Sequence, residues 1–135
     1  MNQMSKIHVW IGITHKSEEN YLQYFELDYS TEGDFEAPEY RVCQFCKDIG
    51  KKWYDEDFIG IIPILKKDVS VIEILQEIPI EQDEIRKVLS ICKEMGLSSA
   101  NAIFYYTDSE LIIQKPYKDN YNDLKYIGVF NSSLE

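Results

Sequence analysis

The alternation of apolar and polar residues near the start of the chain predicts a β-strand. From residue 7 to residue 13 every second residue is isoleucine or valine. His8 and Trp10 occupy positions between them, and a tryptophan on the second face favours a strand that is covered on both sides. We therefore expect this strand to lie inside a sheet.

Four helices follow from the spacing of apolar residues and from signals at the helix ends. Ser17 is a good N-cap for a first helix that runs to about residue 27. Pro38 suits the first turn of a second helix, which would end at Gly50. Ser70 opens a capping box for a short third helix, and Gly96 follows a fourth helix that begins near residue 81.

The remaining apolar segments read as strands. An apolar run predicts a strand over residues 58–64, and the period of two in residues 102–106 and 111–114 predicts a hairpin. A last strand is expected over residues 124–130. The order β-α-α-β-α-α-β-β-β indicates an α+β fold, with a mostly antiparallel sheet of about five strands and about four helices packed against one face. We expect a single domain over residues 1–135.

Charge is the most telling bulk property of the chain. Twenty-four acidic residues against 14 basic ones give a formal net charge of −10, and residues 17–40 hold eight acids without a lysine or arginine. Such a field disfavours nucleic acid and anionic membranes as partners and favours basic ones, although solubility alone would also account for it. A polar start without a signal peptide, and no apolar run of membrane-spanning length, predict a cytoplasmic protein.

The cysteines and histidines are candidate catalytic, redox or metal-binding groups. Cys43 and Cys46 form a CxxC pair, but the predicted second helix places them in its middle, where packing is the simplest role. A zinc site needs two further ligands, and Cys92 stands alone. His8 lies in the first strand and His15 just after it, and neither has a nucleophile motif nearby. We therefore predict no catalytic residue, no metal and no cofactor.

Aromatic residues set among acids are the main candidate for function. Tyrosine and tryptophan are common anchors of protein interfaces, and surrounding carboxylates would orient a basic partner. A buried tryptophan beside solvated acids is the alternative interpretation of Trp53. The predicted partner-binding residues are Asp28, Tyr29, Glu32, Asp34, Glu36, Trp53, Tyr54, Asp55, Glu56 and Asp57.

Several segments resemble the family of bacterial immunity proteins catalogued as immunity protein twenty-two, which belongs to polymorphic toxin systems. The resembling segments are residues 7–12 (IHVWIG), 24–29 (YFELDY), 43–50 (CQFCKDIG), 53–60 (WYDEDFIG) and 126–128 (YIG). The resemblance implies an α+β fold with a characteristic tryptophan. It also implies that the protein is a non-enzymatic inhibitor of a cognate toxin encoded by a neighbouring gene. The acidity of the chain suggests that this toxin is basic, for example one that acts on nucleic acid.

Two other function classes stay open at the level of sequence. A small hydrolase would need Cys43 or Cys46 within hydrogen-bond reach of a histidine, or a converging carboxylate pair. An adaptor protein would act through dimerisation, and the sequence leaves the choice between monomer and homodimer undetermined.

Overall fold

The described residues of the protein form two β-sheets and four α-helices. The computed structural model describes residues 6–115 and 117–133. Within these residues the strands are β1 (Lys6–Gly12), β2 (Ile59–Ile61), β3 (Val69–Ser70), β4 (Ser99–Ala100), β5 (Ala102–Thr107) and β6 (Leu124–Asn131). The α-helices are α1 (Glu18–Gln23), α2 (Gln44–Ile49), α3 (Val71–Ile74) and α4 (Ile85–Glu94). Single 3-10 turns cover Glu56–Phe58, Leu75–Glu77 and Gln82–Glu84.

The larger sheet is antiparallel throughout and has the strand order β2-β5-β1-β6. Trp10 of β1 lies opposite Phe104 of β5, and a shift of register between Val9 and Trp10 marks a bulge against β6. Strands β3 and β4 pair in a separate two-stranded sheet. The predicted α+β class and the mostly antiparallel sheet are confirmed.

Helices cover both faces of the larger sheet, not one face as the sequence suggested. On one face the Trp10 side chain packs in a cluster with Tyr21 of α1 and Phe45 of α2. On the other face the isoleucine and valine side chains of β1 pack in a cluster with Ile74 of α3 and Val88 of α4. A strand that is apolar on both sides needs a hydrophobic layer on each, which is why β1 lies in the middle.

The prediction of a hairpin over residues 102–114 is wrong for its second strand, residues 111–114. β5 pairs with β1 on one side and with β2 on the other, so neither of its edges is free for residues 111–114. These residues have no strand structure, although Leu111 and Ile113 are buried in the core. Asp108 Oδ1 accepts hydrogen bonds from the backbone N–H groups of Glu110 and Leu111, which turns the chain after β5. The alternating pattern of residues 111–114 thus indicates alternating burial of side chains in a loop, not a strand.

The ends of three helices match their predicted signals, and the start of α2 does not. Ser17 and Ser70 cap α1 and α3 by accepting backbone N–H groups, and Gly50 ends α2 with a φ of 76°. The second helix was expected to begin near Pro38, but residues 31–40 form successive hydrogen-bonded turns and α2 begins at Gln44. This shift moves both cysteines of the CxxC pair to the helix start.

Candidate functional site

The loop between α1 and α2 is held closed by Asp28. Its Oδ1 accepts the backbone N–H of Ser30 at 3.0 Å, and its Oδ2 accepts the backbone N–H of Arg41 at 2.9 Å. Hydrogen bonds from Ser30 and from the Arg41 backbone lower the pKa of Asp28 to about 2, which keeps the carboxylate charged. Asp28 therefore ties the two ends of the loop together, whatever else it contacts.

A stack of aromatic rings, with Trp53 exposed and Phe35 and Tyr40 partly buried, joins this loop to the segment after α2. The Phe35 ring lies against the Trp53 ring at a centroid distance of 5.6 Å, and against the Tyr40 ring at 5.3 Å. Tyr40 Oη donates a hydrogen bond to the carbonyl of Lys52, and Lys52 Nζ forms an ion pair with Glu36, each at 2.6 Å. Two segments that the sequence analysis singled out separately thus form one surface. Phe35 was missed, although an aromatic residue inside an acidic loop is itself a signal.

Most of the predicted residues on this surface are open to solvent. Tyr29 is 63% exposed and Trp53 is 42% exposed, which is unusual for large aromatic side chains. Glu32 and Asp34 are also exposed, and no ion pair within the described residues neutralises either carboxylate. The surface therefore combines apolar area with uncompensated negative charge.

Tyr54 was predicted to bind the partner, but its side chain lies in the core. Its side chain is only 2% exposed and packs edge-on against Phe45 and Tyr106. Its hydroxyl donates a hydrogen bond to the carbonyl of Phe25, so Tyr54 belongs to the core. Trp53 points outward and Tyr54 inward because adjacent residues of an extended segment point to opposite sides.

Among the three acids that follow Tyr54, Asp55 has a structural role. Its Oδ1 accepts the backbone N–H of Asp57 at 2.9 Å and caps the 3-10 turn. Glu56 and Asp57 are exposed, and Glu56 lines a groove of about 420 Å³ with Glu19 and Glu26 of the α1 region. These two glutamates were not predicted as part of the site.

The exposed face of α1 could have been found from its spacing. Positions 19, 22, 23 and 26 share one helical face, and all four residues line the groove beside Glu56. Leu22 is 46% exposed, whereas its neighbour Tyr21 is fully buried. The apolar side chain therefore adds to the acidic groove rather than to the core.

A second cleft, of about 670 Å³, lies next to this groove and holds a thiol. It is lined by residues 40–43 and by Gln23, Glu26, Leu27, Asp28 and Lys47. We call it the Cys43 cleft. Cys43 is the N-cap of α2, where its sulfur accepts the backbone N–H of Cys46 at 3.4 Å. The prediction that the cysteine pair lies in mid-helix is wrong.

The two sulfur atoms of the pair are 3.1 Å apart, which is within hydrogen-bond distance. The hydrogen bond from Cys46 lowers the pKa of Cys43 to about 7, because it stabilises the thiolate. The same contact, together with burial, raises the pKa of Cys46 far above its usual range. Among the described residues, no hydrogen bond links either cysteine to a histidine.

His8 is a buried residue, and both of its ring nitrogens form hydrogen bonds. Nε2 donates to the carbonyl of Asp108 at 3.1 Å, since a carbonyl can only accept. Nδ1 of the neutral ring then accepts the Tyr126 hydroxyl at 2.7 Å. Burial lowers the pKa of His8 below its ordinary value of 6.5, despite opposing contributions from Asp108. These contacts make His8 a structural residue, as its strand position suggested.

His8 is expected to make the protein less stable in acid. The unfolded chain binds a proton near pH 6.5 and the folded chain only at lower pH, so the free energy of unfolding falls as pH drops below 6.5. The slope contributed by one such group is at most about 1.4 kcal/mol per pH unit. Urea unfolding of the wild-type protein and of His8→Phe between pH 5 and pH 8 would measure it.

The His8→Phe variant should lose this slope even where its overall stability is lower. His15→Gln is the matched control, because it removes the other histidine of the chain, which is exposed. A wild-type slope that persists in His8→Phe, or disappears in His15→Gln, would contradict the assignment.

Neither a metal-binding group of side chains nor a membrane-spanning helix occurs among the described residues. In residues 6–115 and 117–133, no three histidine, cysteine, aspartate or glutamate side chains converge in a group that could hold a metal ion. None of the helices in the same part of the chain has the length and apolar character needed to cross a membrane.

Comparison with known proteins identifies the family. A family model described as Immunity protein 22 matches residues 7–132 of the 135-residue chain. No protein with a curated description and no solved structure matches significantly. Because the match covers nearly the whole sequence, the chain belongs to the Immunity protein 22 family.

Proposed function

We propose that this member of the Immunity protein 22 family binds a cognate toxin domain and neutralises it by direct, non-catalytic contact. Family membership supports an immunity role and implies a toxin partner. The observation that supports the binding surface is the contact of the exposed Trp53 ring with Phe35, in a loop whose exposed Glu32 and Asp34 form no ion pair among the described residues. An exposed apolar area with unpaired acidic residues in the same loop suits a partner that is basic and has its own apolar contact residues.

The proposed contact surface has an aromatic centre and an acidic rim. Trp53 and Phe35 form the centre, and Tyr29 is a further exposed aromatic residue in the loop that contains Phe35. Such side chains bury large areas at a low cost in conformational entropy. The rim is formed by Glu32, Asp34, Glu56 and Asp57, with Glu19 and Glu26 beyond them. Aromatic contacts would slow dissociation, and the rim would accelerate association with a basic toxin that acts, for example, on nucleic acid.

Reversing the charge of the rim should weaken capture of the toxin mainly through the association rate. In the variant Glu56→Lys/Asp57→Lys we expect that rate to fall by roughly tenfold at low salt, and by less at high salt where charges are screened. Asp55 is left unchanged because it caps the 3-10 turn. Surface plasmon resonance with the toxin domain encoded beside the gene would measure both rates over a series of salt concentrations.

The matched control carries the same charge change on the opposite face of the sheet. Glu73→Lys/Glu77→Lys lies in and after α3, where both side chains are exposed. Equal association rates for the wild-type protein and the Glu56→Lys/Asp57→Lys variant would remove the rim from the proposal. Absence of any complex with the toxin domain would contradict the proposed function itself.

A further inference from the structure

We propose that Cys43 and Cys46 form a reversible disulfide, with Cys43 as the attacking thiol in its cleft and a low-molecular-weight disulfide as the oxidant. This site is independent of the toxin-binding proposal. It rests on the geometry of the pair, on the unequal access to its two sulfurs and on the Cys43 cleft.

The two sulfurs are already close to bonding distance. They are 3.1 Å apart, and a disulfide bond is about 2.04 Å long, so they need to approach by only about 1 Å. Cys43 has an extended backbone conformation as the N-cap, and Cys46 lies in the first turn of α2. The movement that a disulfide bond requires of the two sulfur atoms is therefore short.

The two thiols differ in a way that assigns them different roles. Cys43 lines the cleft and is 7% exposed, whereas Cys46 is completely buried. The hydrogen bond from Cys46 lowers the pKa of Cys43 and so raises its thiolate fraction, while the raised pKa of Cys46 keeps that residue protonated. Cys43 is therefore the group that an external disulfide meets first, and Cys46 is the group that resolves the product.

The reaction proceeds in two thiol–disulfide exchanges. The Cys43 thiolate attacks one sulfur of the oxidant RSSR, forms a mixed disulfide and releases RS⁻. Cys46 then loses its proton and attacks the Cys43 sulfur, which releases the second RS⁻ and closes the internal disulfide. Two protein thiols are oxidised and one RSSR is reduced to two RSH, so electrons and protons balance.

Cys92 provides an internal control for this site. It is buried on α4, which packs on the opposite face of the sheet, and burial raises the pKa of its thiol to about 11. The thiolate fraction at neutral pH is therefore larger for Cys43, whose pKa is lowered, than for Cys92, whose pKa is raised. We expect Cys43 to react with iodoacetamide at least about tenfold faster than Cys92.

The test equilibrates the native full-length protein with mixtures of reduced and oxidised glutathione, followed by acid quench and intact mass measurement. The wild-type protein should lose two hydrogens and two of its three maleimide-reactive thiols. Cys92→Ser should behave in the same way. Cys46→Ser should retain one glutathione at Cys43, and Cys43→Ser should form neither product. Serine at position 43 keeps an N-cap oxygen and serine at position 46 keeps a hydroxyl donor, so both variants should fold.

Several results would overturn the inference. Three thiols that stay reactive in the wild-type protein under the most oxidising mixture would exclude the disulfide. A wild-type protein that accumulates glutathione without closing the bond would exclude Cys46 as the resolving thiol. Alkylation of Cys43 no faster than that of Cys92 would exclude Cys43 as the attacking group, and circular dichroism of each variant would show that its fold is retained.

Discussion

Replacing Trp10 by alanine is expected to lower the free energy of unfolding by about 3–5 kcal/mol, the range found when large aromatic side chains are removed from cores. Trp10 is fully buried in the central strand β1, and its ring stacks on Phe104 at a centroid distance of 4.7 Å. The rings of Phe45 and Tyr126 also lie within 5.5 Å of it. Few proteins have more than about 15 kcal/mol of stability, so this one change would remove a large part of the total.

Trp10→Phe is the variant that separates packing from hydrogen bonding. The indole Nε1 has no hydrogen-bond partner among the described residues, so phenylalanine loses area but no hydrogen bond. It should therefore cost clearly less than alanine. Urea unfolding followed by circular dichroism would measure both variants. A loss below about 1 kcal/mol in Trp10→Ala, or equal losses in the two variants, would contradict a central role for this ring.

The sequence predicted the parts of the fold in which periodicity and burial agree. The alternation around Trp10 identified a strand with two covered faces, and β1 is central with one core on each side. The strand predicted over residues 111–114 is wrong because the alternation there indicates which side chains are buried, not which backbone groups are paired. Pairing depends on which strand edges remain free, and β5 has none.

The start of α2 shows why local signals misplace a chemical group. Pro38 is a reasonable helix start by itself, but the hydrogen bond from the Arg41 backbone N–H to Asp28 keeps the chain in turns before the helix. That contact joins residues 13 positions apart and has no local signature. The consequence is chemical, since an N-cap cysteine and a mid-helix cysteine have different pKa values.

The sequence predicted only part of the candidate surface correctly. Charged side chains are usually exposed, and this holds for Glu32, Asp34, Glu56 and Asp57. The two aromatic neighbours Trp53 and Tyr54 could not be told apart by composition. Only the contact of Tyr54 with the Phe25 carbonyl, and that of Trp53 with the Phe35 ring, assigns one to the core and the other to the surface.

Replacing Trp53 by alanine is expected to weaken toxin binding by at least about 2 kcal/mol, or roughly 30-fold in Kd. On the proposed surface Trp53 is the largest apolar group, and its contact with Phe35 holds it in place before the toxin arrives. A side chain that is already ordered loses little entropy on binding, which favours tight contact. Isothermal titration calorimetry of the variant against the toxin domain would measure the loss, and most of it should come from faster dissociation.

The control for Trp53 is an exposed apolar residue far from the proposed surface. Ile72 on α3 is half exposed on the other side of the sheet, so Ile72→Ala should leave toxin affinity unchanged. Trp53→Ala should also keep nearly full stability, because its side chain is outside the core, in contrast to Trp10→Ala. A weakened but fully folded Trp53→Ala would therefore report on contact and not on folding. Wild-type affinity in Trp53→Ala, with a loss in Ile72→Ala, would place the toxin on the α3 and α4 face instead.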